Sequence, residues 1–122
     1  MEITLIHGLT VEQDGEPVTH HKTVLKELTV GELFDAQKAA ERVIHTDTGV
    51  HLLQSDVEFG IELVRRAIVS IGDIQGPLSV EQMRGLMSSD LTLIQSKLDG
   101  YEAAAMQAAE ARGRSNPVSA ED

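Results

Sequence analysis

The run Val24-Leu25-Lys26-Glu27-Leu28-Thr29-Val30-Gly31-Glu32-Leu33 is where the chain changes its period. Upstream, apolar and polar residues alternate in steps of two; downstream, apolar residues recur in steps of three and four. Thr29-Val30-Gly31-Glu32 has capping-box spacing: the threonine hydroxyl accepts the Glu32 amide, and the glutamate accepts the amide of the cap residue. A helix is therefore expected over about Val30 to Ile44. Its apolar stripe is Val30, Leu33, Phe34, Ala40, Val43 and Ile44, interrupted at Gln37.

Toward the N-terminus, Ile3, Leu5, His7, Leu9 and Val11 hold the odd positions of a strand with one buried face. Asp14-Gly15 supplies the positive φ angles of a tight hairpin turn, and the returning arm, about Val18 to Leu25, is rich in β-formers. Pro17 has no amide to donate and belongs at an edge. A lone hairpin is marginal in water, so this one is expected to pack on helices or be completed by another chain's strand.

Toward the C-terminus, His45-Thr46-Asp47-Thr48-Gly49 breaks the helical stripe and reads as a loop. Ser55-Asp56-Val57-Glu58 repeats the capping spacing ahead of Val57, Ile61, Val64, Ile68 and Ile71, a helix stopped by Gly72 at its C′ position and then by Gly76-Pro77. Ser79-Val80-Glu81-Gln82 opens a short helix to about Met87. Ser88 or Ser89 caps a last helix from Asp90, whose stripe Leu91, Ile94, Leu98 and Tyr101 leads, past a weak point at Gly100, into the alanine-rich Ala103 to Ala111. The expected fold class is α+β: an N-terminal β-hairpin, then a small bundle of three longer helices and one short helix. These form a single domain over residues 1–111, and 112–122, with almost nothing to bury, are expected to be a disordered, flexible tail.

Composition removes several functions. A chain of 122 residues buries about 65% of its unfolded surface and leaves no room for separate substrate and cofactor domains. Without cysteine it has no disulfide, thiolate nucleophile or cysteine-held metal. Twenty acidic residues against ten basic ones give a formal charge of −10, and only Arg65-Arg66 are adjacent basic residues. Phosphate backbones and anionic membranes are repelled by such a chain, so neither nucleic acid nor membrane is expected as a partner. No apolar run approaches the ~20 residues that cross a bilayer, and Met1-Glu2-Ile3-Thr4 is not a basic leader, so a cytosolic protein is expected.

The residues with the most chemistry are His45, Asp47 and His51, three metal-ligand types within seven positions. No helical His-x-x-x-His pair and no glutamate-rich partner completes them, and solvated loop residues account for them better. His20-His21, on a strand, point to opposite faces. There is no Gly-x-Ser-x-Gly elbow, and Gly72-Asp73-Ile74-Gln75-Gly76 lacks the lysine of a phosphate loop. Glu58 and Glu62 read as ion-pair partners of Arg65 and Arg66 on a solvated helix face. No catalytic, cofactor-binding or metal residue is assigned, and neither enzymatic activity nor a cofactor is expected. For a partner, Val57, Ile61, Val64 and Ile68 or the hairpin edge near Val18 to Val24 are available. The former read better as the domain's own core, so no partner-binding residue is assigned. The helix Tyr101 to Ala111, with Met106 as its bulky apolar residue, suits an exposed tail or an interaction surface alike.

In order along the chain, several segments resemble the phage tail assembly chaperones of the Mu-like type: the Asp14-Gly15-Glu16-Pro17 turn; Val24 to Leu33 followed by Asp35-Ala36; Glu62-Leu63-Val64-Arg65-Arg66-Ala67-Ile68-Val69-Ser70-Ile71-Gly72; Leu78 to Leu86; and Ser89-Asp90-Leu91. The likeness spans about Val11 to Leu98. It implies a non-enzymatic protein that binds the tape measure protein and keeps it soluble until tail tube protein assembles around it. Such a protein works in the host cell cytoplasm, from phage or prophage, and is absent from the mature virion. Tape measure protein, tail tube protein and further copies of the chain are the partners implied. The alternative is a structural tail or head-completion protein retained in the virion as a ring subunit; a metal-dependent enzyme using His45, Asp47 and His51 ranks below both.

Overall fold

The computed structural model describes residues 1–114. In chain order these form β1 (Glu2–Gln13), β2 (Glu16–Leu25), α1 (Val30–Ala39), β3 (Glu41–Thr46), β4 (Gly49–Gln54), α2 (Asp56–Ala67), β5 (Ile68–Ile71), β6 (Ile74–Gln75), α3 (Val80–Arg84) and α4 (Ser88–Arg114). The class is α+β, with an N-terminal hairpin, three longer helices and one short one.

Asp14 at φ 55° and Gly15 at φ 80° make the tight turn between β1 and β2, with Gln13 opposite Glu16. Pro17 pairs with Glu12 where β2 has no neighbour on its other side, because β5 pairs with β2 only over Thr23 to Leu25. The sheet order is β1-β2-β5-β6, all antiparallel, so the chain completes its own hairpin and needs no strand from another copy for that purpose. Leu5, Leu9 and Leu25 from the sheet meet Val64 of α2, Ile68, Ile71 and Ile74 of the added strands, Leu78, Met83 of α3 and Ile94 of α4 in one core.

The odd-position pattern of β1 is broken by a bulge between Thr4, opposite Lys22, and Leu9, opposite His20. Within it the amides of Ile6, His7 and Gly8 donate to the Asp90 carboxylate at 2.7, 3.0 and 3.0 Å. Asp90 is fully buried and lies in the first turn of α4, where the helix dipole favours an acidic side chain. One side chain thus ties the last helix to the first strand. Gly8 has φ 78°, and a Cβ there would stand 2.6 Å from the His20 carbonyl oxygen, so only glycine fits.

Every helix has at least one boundary that differs from expectation. The first helix stops at Ala39 instead of Ile44; Glu41–Thr46 is a strand, and the expected loop at 45–49 is the tip of a second hairpin. Val43, Ile44 and Thr46 are β-branched and stiff at χ1, which favours the extended form, and Asp47-Thr48-Gly49, with Gly49 at φ 126°, turns the chain. The second helix stops at Ala67, because β-branched Ile68 and Ile71 pair with Leu25 and Thr23 of β2 instead of continuing the stripe, with Val69 at the register shift between them. Gly72, at φ 57°, is consequently a hairpin turn residue and not a helix C′; its amide donates to the Lys22 carbonyl at 2.7 Å. Gly76-Pro77, joined by a cis peptide, follows β6 and so ends a strand, not the helix. Of the three capping-box spacings, those at Thr29 and Ser79 form complete boxes, whereas Ser55 accepts the Glu58 amide but the Glu58 carboxylate pairs with Arg42 instead of returning the bond; α3 ends at Arg84, short of Met87. Helix α4 begins at Ser88, passes through Gly100 and includes Arg112–Arg114, residues expected in the tail; 115–122 lie outside the described residues.

Candidate functional site

Helices α1 and α2 pack on each other, and the β3–β4 hairpin that joins them stands out from the body as an arm. At its base the Ser55 amide donates to the Ala40 carbonyl at 3.1 Å, and Arg42 pairs with Glu58 of α2. At its tip the Thr46 and Thr48 hydroxyls lie 2.9 Å apart, and Thr48 meets His51 Nε2 at 3.0 Å. Val43 is opposite Leu52, Ile44 opposite His51, and His45 opposite Val50.

That register sorts the side chains by parity. One face carries Glu41, Val43, His45, Val50, Leu52 and Gln54; the other carries Arg42, Ile44, Thr46, His51 and Leu53. Every arm residue beyond Glu41 is exposed. Val43, Val50 and Leu52 on the first face are 60%, 65% and 62% exposed, and Leu53 and Ile44 on the second 53% and 37%. A two-stranded ribbon with apolar side chains on both faces gains little from its own fold.

The faces open onto different parts of the body. Glu41 shares a shallow depression with Phe34, Asp35 and Lys38, so the first face continues onto α1. The apolar stripe of α1 is turned outward there: Val30 and Phe34, one turn apart, are mostly exposed, while Ala36 and Ala40 make the buried contacts. Arg42 instead lines a cleft of about 690 Å³ with Ile61, Arg65, Met83 and Leu91, so the second face continues into the gap between α2, α3 and α4.

Glu62 in that cleft accepts from Arg65 at 2.9 Å and from Arg66, and Arg65 also donates to the Leu78 carbonyl at 3.0 Å. Burial opposes ionisation of Glu62, but the two guanidinium hydrogen bonds outweigh it and hold its carboxyl below the usual range. Glu58 is taken by Arg42 and does not pair with Arg65. On α1, the Lys26 ammonium and then the Thr29 amide lower Glu32 to about 2.

The structure does not gather His45, Asp47 and His51. The two imidazoles project from opposite faces of the arm with Asp47 in the turn, and among the described residues no group of three or more such side chains is placed to hold a metal ion. Val64 and Ile68 are core, Ile61 packs against it, and Val57 is 73% exposed. From Asp99 to Gly113 every residue of α4 is exposed, so half of that helix projects from the body. No helix is long and apolar enough to cross a membrane among the described residues. The arm is what sequence reasoning missed, although Val43-Ile44, Asp47-Thr48-Gly49 and Val50 to Leu53 are the strand-turn-strand signal that marks it.

Apolar side chains held out in water on a small acidic body make a surface of the kind that assembly proteins use for contact. A sequence profile of the tail assembly protein gp41 family matches residues 5–114, and the chain belongs to that family. It is 40% identical over 115 residues to the Mu-like prophage FluMu protein gp41 of Haemophilus influenzae, covering 93% of this chain and 87% of the relative. It is 34% identical over 113 residues to the probable tail assembly protein gp41 of Escherichia phage Mu, covering 92% and 78%. Against the probable tail assembly protein FS-gp41 of the same phage the identity is 34%, over 84% of this chain and 54% of the relative. No solved structure matches.

Proposed function

We propose that this protein is a tail assembly chaperone that binds the tape measure protein, keeps it soluble while the tail tube forms, and then leaves the particle. It acts in the host cytoplasm by binding alone, without catalysis. The observation that carries this reading is the arm: Val43, Val50 and Leu52 stand in water on one face of a hairpin that the other described residues leave uncovered. A client's apolar surface supplies the missing cover. The formal charge of −10 suits the task, because a chaperone that masks a sticky client must itself repel its neighbours.

The test is co-expression of the full chain with the tape measure protein encoded by the same phage, capture through a tag on this chain, and mass spectrometry of purified particles. The expected result is a soluble complex with the tape measure protein and no copies of this chain in the particles. Failure to capture it, with the chain found in virions, would make the protein a structural tail component.

A further inference from the structure

We infer that the first face of the arm, Val43, Val50 and Leu52 with Phe34 of α1 beside it, is a docking strip for one amphipathic helix of a partner protein whose apolar stripe is flanked by lysine or arginine. This rests on the reading that the protein binds a client chain. The two faces of the arm are not equivalent. On the second, Arg42 is tied down by Glu58, Ile44 is the least exposed of the five apolar side chains, and the surface falls away into the cleft. On the first, Val43 and Leu52 stand directly opposite each other with Val50 beyond them, and the surface runs on through Glu41 to Phe34.

The shape of that strip selects a helix. Side chains from two neighbouring strands, about 5 Å apart, make a band about 10 Å wide, which matches the girth of an α-helix. A strand added at the arm's edge would satisfy free amides but leave Val43, Val50 and Leu52 in water. A helix laid across the face removes them from it, as helices do on the sheets of layered folds.

Charge selects the flanks. Along the strip Asp35 and Glu41 stand against Lys38, Asp47 sits at the tip, and the whole chain carries −10. A basic helix is drawn to such a surface, whereas a second copy brings the same excess of carboxylates. The projecting half of α4 in another copy is a poor occupant too: its large apolar side chains are Tyr101 and Met106, and it carries Asp99, Glu102 and Glu110 against Arg112.

The experiment compares the wild type, the double variant Val43→Asp/Leu52→Asp and the single variant Leu53→Asp, each as the full chain co-expressed with the tape measure protein. Sedimentation equilibrium of each free protein is run alongside. Two helical peptides serve as competitors, one with a leucine stripe flanked by lysine, the other flanked by glutamate. The expected result is capture lost by about tenfold or more in the double variant and unchanged within about twofold in Leu53→Asp, on the usual scale for central and peripheral interface residues. The lysine peptide competes and the glutamate peptide does not. Unfolding midpoints equal to the wild type show that the variants fold, as expected for exposed positions; if the double variant does not fold, Phe34→Ser is read in its place.

Equal capture by the double variant, or equal loss in Leu53→Asp, overturns the strip while leaving the chaperone reading intact. Competition by the glutamate peptide alone overturns the charge assignment. A wild-type dimer that the double variant dissolves makes the occupant a second copy and overturns the proposal. If the wild type captures no tape measure protein, the chaperone reading and this inference fall together.

Discussion

The two hairpins of this protein obey the same local rules and have opposite fates. β1–β2 and β3–β4 both fold back at an Asp-containing turn that includes or is followed by glycine, and both carry β-branched residues in antiparallel register. The first turns Leu5, Leu9 and Leu25 onto a core, gains β5 as a third strand and has its bulge clasped by Asp90. The second keeps five large apolar side chains in water and touches the body chiefly at its base. Strand formation is thus decided locally, but whether a strand serves stability or contact is decided by what the rest of the chain brings to it.

The sharpest way to break that contrast is at Asp90. Asp90→Ala strands three amides at the β1 bulge and is expected to cost on the order of 4 kcal/mol in urea denaturation; a loss below about 1 kcal/mol would mean that the first hairpin stands unaided. Leu5→Ala, which empties a fully packed core position, should cost about 3 kcal/mol. Gly72→Ala combines a positive φ with a Cβ that would clash with the His20 imidazole and should cost about 2 kcal/mol by the same assay. On the arm, Leu52→Ala should change stability by less than about 0.5 kcal/mol, and a cost near that of Leu5→Ala would show that the arm belongs to the core after all.

The smallest effect expected is that of pH on the α1 cap. Glu32 is lowered from 4.5 to about 2 in the folded chain, so its contribution is complete above pH 4.5 and fades as pH falls through about 2. Glu62, also lowered, acts with the same sign. The protection factors of the Glu32 and Leu33 amides, which correct exchange rates for their intrinsic pH dependence, should therefore fall only below pH 4.5, and a fall between pH 7 and 5 would remove Glu32 as the cause.

Caps and turns were legible because they are short-range. Thr29, Ser55 and Ser79 each cap the helix their spacing announces, and Asp14-Gly15 turns as it should. What misled was a period shared by two structures. Ile68 and Ile71 fall in the helical register of Val57, Ile61 and Val64, yet three of the four residues from Ile68 to Ile71 are β-branched, and β2 offered them a ladder. Likewise Val43 and Ile44 extend the α1 stripe on paper, and Leu52-Leu53 are adjacent, one to each face, which hides alternation. Asp90 gave no sign of its role, since a carboxylate in a first helical turn is ordinary; its amide partners lie more than eighty positions away. The arm's exposure was beyond sequence reasoning, because an apolar strand reads as core until the fold shows that none of the other described residues lies on it.

The length of α4 has a hydrodynamic consequence. A compact chain of 122 residues has a radius of gyration near 14 Å. The 27 residues of α4 make a rod of about 40 Å, and its outer half stands clear of the body. Such a particle meets more friction than a sphere of equal mass, so a monomer should leave a gel-filtration column early, at the volume of a heavier globule. An apparent dimer on a column would therefore be the signature of one long helix.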